Sequence, residues 1–253
     1  MGRIITLTNQ KGGVGKTTTA INLGAALAQL DNRILVVDLD PQGNATIGLG
    51  VDRSRLEASV YQVLLDELPP ADAIVPTRYA RLFLIPSTIE LAGAEIELVA
   101  MVSREYRLQE ALKEIKGGFD FLLLDCPPSL GLLTINALAA ADSILIPIQC
   151  EFYALEGVTQ LLNTINLVRR RLNPKLEVEG VLLTMFDRRT TLSQDVERDV
   201  RAVFAQKVFR SNIPRSVRLA EAPSYGKSIL EYEPHSKGAQ AYLSLAKEVL
   251  EHN

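Results

Sequence analysis

Ile4-Ile5-Thr6-Leu7-Thr8-Asn9-Gln10-Lys11-Gly12-Gly13-Val14-Gly15-Lys16-Thr17-Thr18 decides how the rest of the chain is read. An apolar β-branched run, Ile4–Thr8, feeds a glycine-rich turn, and a helical pattern over Thr17–Leu30 follows it. Glycines let consecutive backbone N–H groups curl around an anion with no Cβ in the way, and a helix N-terminus adds partial positive charge. In such a loop Lys16 reaches the β- and γ-phosphates of a nucleotide, the Thr17 hydroxyl ligates Mg²⁺, and Thr18 bonds the α-phosphate. The strict G-x-x-x-x-G-K-[ST] pattern fails at one place: it asks for glycine at position 10, where this chain has Gln10, and a second lysine, Lys11, opens the loop instead.

Working outward, short apolar runs alternate with helical periods. The runs Ile34–Asp38, Leu82–Pro86, Phe119–Asp125, Ser143–Ile148 and Val178–Met185 read as further strands, with a weaker one at Val208–Ile213. Leu91–Ile115, Leu130–Ala140, Ala154–Leu172, Leu192–Gln206 and Lys237–His252 read as helices. The strands are near-continuously apolar, as expected of a sheet buried on both faces. The expected fold is therefore α/β: a doubly wound, mostly parallel sheet flanked by helices, with residues 1–253 as one domain. Ligands of such folds sit beyond the carboxyl ends of the strands. Two acidic segments lie there. Phe121-Leu122-Leu123-Leu124-Asp125 ends an apolar strand in an acid suited to Mg²⁺, and Asp38-Leu39-Asp40-Pro41-Gln42-Gly43-Asn44 carries two more. Asp40 is placed to orient an attacking water. Asp38 either supports Mg²⁺ through water or caps the helix starting near Asn44.

Composition narrows the partners. The 253 residues are 47% hydrophobic and 23% charged, which suits a sizeable core under an ordinary surface. A net charge of -3 excludes a chain that coats nucleic acid over its whole surface. The window Asp187–Arg218 nevertheless holds eight basic residues against four acidic ones, so positive charge is segregated. Cys126 and Cys150 are far apart, without metal-ligand spacing, and read as buried thiols of a reducing compartment. No apolar run reaches the roughly 18 residues of a membrane span.

Three stretches taken together resemble the deviant Walker A ATPases, and among them the ParA/Soj partitioning proteins: Lys11-Gly12-Gly13-Val14-Gly15-Lys16-Thr17-Thr18, Asp38-Leu39-Asp40-Pro41-Gln42-Gly43-Asn44 and Leu124-Asp125-Cys126-Pro127-Pro128-Ser129. The likeness continues through Leu183–Asp187, Ile213-Pro214-Arg215 and Glu221–Ser228, the last position being Ser228 where the family usually has proline. The resemblance implies ATP and Mg²⁺ as cofactors and an ATP-dependent homodimer in which Lys11 reaches the partner's nucleotide. It implies an adenine pocket at Met185 and Pro214. It also implies non-specific binding to double-stranded DNA, hydrolysis stimulated by a ParB-type centromere-binding protein, and a cytoplasmic, nucleoid-associated location. Arg189 and Arg218 match the family's DNA-contacting positions, with Arg188 and Arg215 behind them, whereas Arg198 and Arg201 read as a solvated helix face. The phosphate loop begins too near Met1 to leave room for a separate DNA-reading domain. The rival resemblance is a MinD-like positioning ATPase recruited to membranes. Its basic amphipathic tail is not matched by Ala239–Asn253, which has one lysine and two glutamates. A cluster-bearing relative of the nitrogenase iron protein would need cysteines in a glycine-rich setting.

Overall fold

A computed structural model describes residues 2–152, 154 and 156–252. The elements in chain order are β1 (Arg3–Leu7), α1 (Lys16–Gln29), β2 (Ile34–Asp38), α2 (Asn44–Gly48), α3 (Val60–Leu65), β3 (Val75–Pro76), β4 (Leu82–Ile85), α4 (Leu91–Glu97), α5 (Arg107–Ile115) and β5 (Phe121–Asp125). They continue as α6 (Leu132–Ala140), β6 (Ser143–Gln149), α7 (Glu156–Arg171), β7 (Glu177–Thr184), α8 (Thr191–Phe204), α9 (Val217–Glu221), α10 (Ile229–Tyr232) and α11 (Lys237–Glu251). The strands form one sheet in the order β3-β4-β2-β5-β1-β6-β7. Every neighbouring pair is parallel except the two-residue β3 against β4. This is the mostly parallel, doubly wound α/β sheet that the apolar runs predict.

Alternation along each strand divides the core. Ile4, Leu35, Leu122 and Ile144 face α3–α8, while Ile5, Val36, Leu123 and Leu145 face α1 and α11. The apolar stripe of α11 is spent there: Ala239, Tyr242, Leu245, Ala246 and Val249 are all buried. Tyr242 meets Thr19 of α1 hydroxyl to hydroxyl at 3.2 Å. Among the described residues no helix is long and apolar enough to cross a membrane.

Two expected elements come out differently. The continuous helix Leu91–Ile115 is broken between α4 and α5, with Ser103 at φ 54. Ser103 lies in the left-handed region, which a right-handed helix does not carry, so the chain turns there, while Leu98 before the break and Leu108 after it stay in one core cluster. The expected strand Val208–Ile213 is reduced to isolated bridges, Val181 with Val208 and Phe186 with Pro214. Its Arg210 and Ser211 N–H groups are diverted to the Glu248 carboxylate of α11, at 2.7 and 2.8 Å. Phe209 fills the space over Gly180, where a Cβ would stand 2.5 Å from its ring. The start expected for the helix Ala154–Leu172 falls partly on Leu155, outside the described residues.

Candidate functional site: a nucleotide cleft at the sheet's carboxyl edge

The register of β2, β5 and β1 brings the expected acids together. Asp38 is level with Asp125, and Asp125 is level with Leu7, the last residue before the glycine loop. The loop is fastened at three points. Asn9 donates to the Pro147 carbonyl at 2.7 Å, and its own side-chain oxygen accepts the Lys11 N–H at 3.1 Å. Thr184 donates to the Val14 carbonyl at 2.8 Å. Gly15 precedes α1 at φ 92, a conformation that other residues rarely adopt. A Cβ on Gly12 would meet nothing, so the loop opens onto free space. No acidic residue occupies the first turn of α1 to neutralise its positive end.

Lys16 is buried and donates to the Lys11 carbonyl at 3.0 Å, folding the loop over its own lysine. Burial holds its pKa below the usual lysine value, and Asp125 and Asp40 oppose that. Asp125 is wholly buried, and neither carboxylate oxygen has a hydrogen-bond partner of normal geometry among the described residues. Burial and then the charge of Asp38 push its pKa well up; the Thr17 hydroxyl and the Lys16 ammonium act the other way. A buried carboxylate of raised pKa facing a hydroxyl fits a hard cation such as Mg²⁺, whose charge would favour its ionised form. Among the described residues no three His, Cys, Asp or Glu side chains could cage a metal by themselves, so the remaining oxygens must come from a bound phosphate or water.

Asp38 is differently placed. One oxygen accepts from the Thr46 N–H and hydroxyl, at 2.8 and 2.7 Å, and the other from the Asp40 N–H at 3.2 Å. Asp38 thus anchors the first turn of α2, and in the sheet it lies level with Asp125. Burial raises its pKa to about 6 against those hydrogen bonds. Asp40 borders the cleft, with one oxygen accepting the Gln42 N–H at 2.9 Å.

The cleft has two joined parts. A cavity of about 550 Å³ is lined by Gly12, Gly13, Lys16, Thr17, Asp40 and Pro128. A narrower one of about 280 Å³ is walled by Thr184, Ile213, Pro214, Val217 and Leu219. Gly15, Thr18 and Met185 line both. The polar part suits phosphates and the apolar part a planar base. Met185, at φ 51, is the hinge between them.

A cationic groove of about 800 Å³, which shares Pro214 and Arg215 with the apolar slot, gathers Arg188, Arg189, Arg210, Arg215 and Lys237. Arg218 lies outside it, on α9, paired with Glu221 at 3.0 Å. Arg189 is held by Asp187 at 2.7 Å, and this pairing drops the Asp187 pKa to about 2. Arg198 and Arg201 pair with Asp195 and Glu197 on their own helix, the solvated face expected of them. Sequence reading missed Glu151, whose carboxylate pairs with Lys11. Its signal was available: Glu151 stands just past the carboxyl end of β6, where acids of such sheets meet ligands. Both thiols are buried, and burial pushes the Cys150 thiol up to about 12.

A family model described as an AAA domain matches residues 2–178. The sporulation initiation inhibitor protein Soj of Bacillus subtilis (strain 168) is 58% identical over 98% of this chain and 98% of its own. The chromosome partitioning protein ParA of Myxococcus xanthus (strain DK1622) is 52% identical over 99% of this chain and 88% of its own. The chain belongs to the ParA/Soj family of partition ATPases. In keeping with that family, the fold is shared with a solved structure, the cobyrinic acid a,c-diamide synthase of Mycobacterium smegmatis with bound ADP and magnesium. That match has a TM-score of 0.89 and 44% identity, over 100% of this chain and 95% of that one.

Proposed function

We propose that residues 1–253 form one ATPase unit that binds ATP and Mg²⁺, dimerises on ATP, holds double-stranded DNA without sequence preference and releases it on hydrolysis. The observation carrying this reading is the convergence of Lys16, Thr17 and Asp40 on a polar cavity that continues into an apolar slot, with Asp125 buried beside Lys16 and Thr17. The ADP and magnesium of the related solved structure support the choice of ligands.

In this reading Lys16 and the N–H groups of Gly12–Thr17 bind the phosphates, and Thr18 bonds the α-phosphate. Thr17 and Asp125 hold Mg²⁺, with Asp38 behind them. When bound, Mg²⁺ supplies positive charge that offsets the charge shifting between phosphate oxygens. Asp40 orients the attacking water. Met185 and Pro214 clasp the base. Lys11 leaves Glu151 to reach the partner's nucleotide, so hydrolysis waits on dimerisation. A cation supplied in trans is worth about 10³–10⁵ in rate in related phosphoryl transfers.

Arg188, Arg189 and Arg215, with Arg218 nearby in sequence, meet DNA phosphates. Arg189 and Arg218 are now in exposed ion pairs with Asp187 and Glu221, which phosphate can replace. The tail stripe is buried in the core, which favours DNA over a membrane as the anionic partner. A ParB-type protein stimulates turnover, and the protein works in the cytoplasm on the nucleoid.

The test is binding to random-sequence duplex with ATP, ADP or no nucleotide across a salt series. Binding with ATP alone, falling with a slope of about -0.9 per neutralised phosphate, is expected. ATP-bound dimers that ignore DNA at low salt would overturn the DNA reading and leave the ATPase.

A further inference from the structure

Asp40 stands two residues beyond the end of β2, on a turn that no strand or helix holds. The turn closes on itself through Gly43 N–H to the Asp40 carbonyl, at 2.8 Å. Its outer side is held by Arg53. That guanidinium donates to the Gln42 carbonyl at 2.7 Å and to the Pro41 carbonyl at 3.2 Å. The peptide between Pro41 and Gln42 is therefore gripped at both ends: its C=O by Arg53 and its N–H by the Asp40 carboxylate. Donation from a charged group into that C=O strengthens the N–H bond at the other end, because linked hydrogen bonds polarise one another.

Two further features belong to the same device. Gly43 adopts φ 66, and a Cβ there would stand 2.8 Å from the guanidinium carbon, so the arginine lies directly against the turn. Arg53 itself begins a short 3₁₀ turn whose start is capped by Asp52, which accepts the Ser54 N–H at 3.0 Å and the Ser54 hydroxyl at 2.7 Å. Among the described residues no carboxylate pairs with Arg53, so its charge is directed wholly at the two carbonyls.

We propose that Arg53 is a positioning residue for hydrolysis, fixing the Asp40 carboxylate through the Pro41–Gln42 peptide. It does not touch nucleotide. The proposal rests on the role of Asp40 given above. It separates turnover from binding, because Arg53 lines neither the phosphate cavity nor the base slot.

The experiment uses the full chain and compares Arg53→Gln, Arg53→Lys, Gly43→Ala and Asp40→Ala. ATP affinity is measured with a fluorescent ATP analogue, and single-turnover hydrolysis is followed at saturating ATP and DNA. Arg53→Gln is expected to slow the chemical step by about ten- to a hundredfold, the cost of a misplacement on the order of 1 Å, with affinity and melting temperature nearly unchanged. Gly43→Ala, which pushes the guanidinium away from the other side, is expected to do the same. Arg53→Lys, able to keep one carbonyl bond, is expected to fall between. Wild-type turnover in Arg53→Gln beside a dead Asp40→Ala would overturn the proposal and leave Asp40 in place. Parallel loss of ATP affinity and turnover in Arg53→Gln would also overturn it, since a merely structural arginine behaves that way. Wild-type turnover in Asp40→Ala would remove the underlying role, and this proposal with it.

Discussion

Asp125→Asn should make the nucleotide-free protein more stable while removing its response to Mg²⁺ and ATP. Asp125 is buried without a partner and level with buried Asp38. Asp38, with three hydrogen bonds to relieve it, still has its pKa raised from 3.8 to about 6. A buried polar group without a hydrogen-bond partner of normal geometry costs about 1–3 kcal/mol, so relief of that order is expected for Asp125. For a chain of this size that is about 2–12 °C in Tm. The sign follows from proton binding. A carboxyl whose folded pKa is raised holds, in the folded state, a proton that the unfolded chain has lost. Wild-type stability therefore falls as pH rises from about 4 through the raised value. The advantage of the amide should be greatest near pH 8 and shrink toward pH 5, in thermal melts without nucleotide. Melts with Mg²⁺ and ATP should stabilise wild type and leave the variant unmoved. A variant less stable than wild type at pH 8, or a difference that ignores pH, would refute this account of Asp125.

Other perturbations test separate parts. Lys16→Ala should remove ATP binding, read as loss of fluorescent-nucleotide binding; retained affinity would contradict the phosphate-loop assignment. Arg189→Glu should abolish DNA retention while ATP-dependent dimers persist in sizing experiments; binding that survives at low salt would return Arg189 to an ordinary surface residue. Glu151→Gln should free Lys11. Half-exposed pairs are worth about 0.2–1 kcal/mol, and a dimer breaks two of them, so in an Asp40→Ala background the ATP dimer should tighten by about 2- to 30-fold. An unchanged dimer dissociation constant in sedimentation would show that the pair restrains nothing.

What was legible in the sequence was whatever has a short period or a local chemical reason. β2 appears at the residues its apolar run marks, and Gly12, Gly13 and Gly15 announce a backbone that must bend around an anion. Asp38 and Asp125 could be read as strand-end acids without knowing that they are level. Pairings across the fold were not legible. Lys11 meets a glutamate 140 residues away, and Arg210 takes its anchor from α11. The split of α4 from α5 lies at the left-handed turn of Ser103, which the apolar period running on through Leu98 and Leu108 hides. The basic window was visible as charge, but only folding shows Lys237 joining its groove and Arg218 left outside.

The segment after α8 that walls the base slot has a second duty. Phe209 and Ile213 donate to Val181 and Leu183, at 3.0 and 2.8 Å, along the outer side of β7, the sheet's last strand. An apolar strand with its outer amide groups bare is a template on which further chains can add, and this one is covered by only a few bonds. The opposite margin is guarded by brevity and by Pro76, which cannot donate there. Lesions that loosen the clasp around the base therefore also uncover a self-templating border. Variants that lose the base slot through this segment are therefore expected to aggregate more readily than variants that lose nucleotide through the phosphate loop.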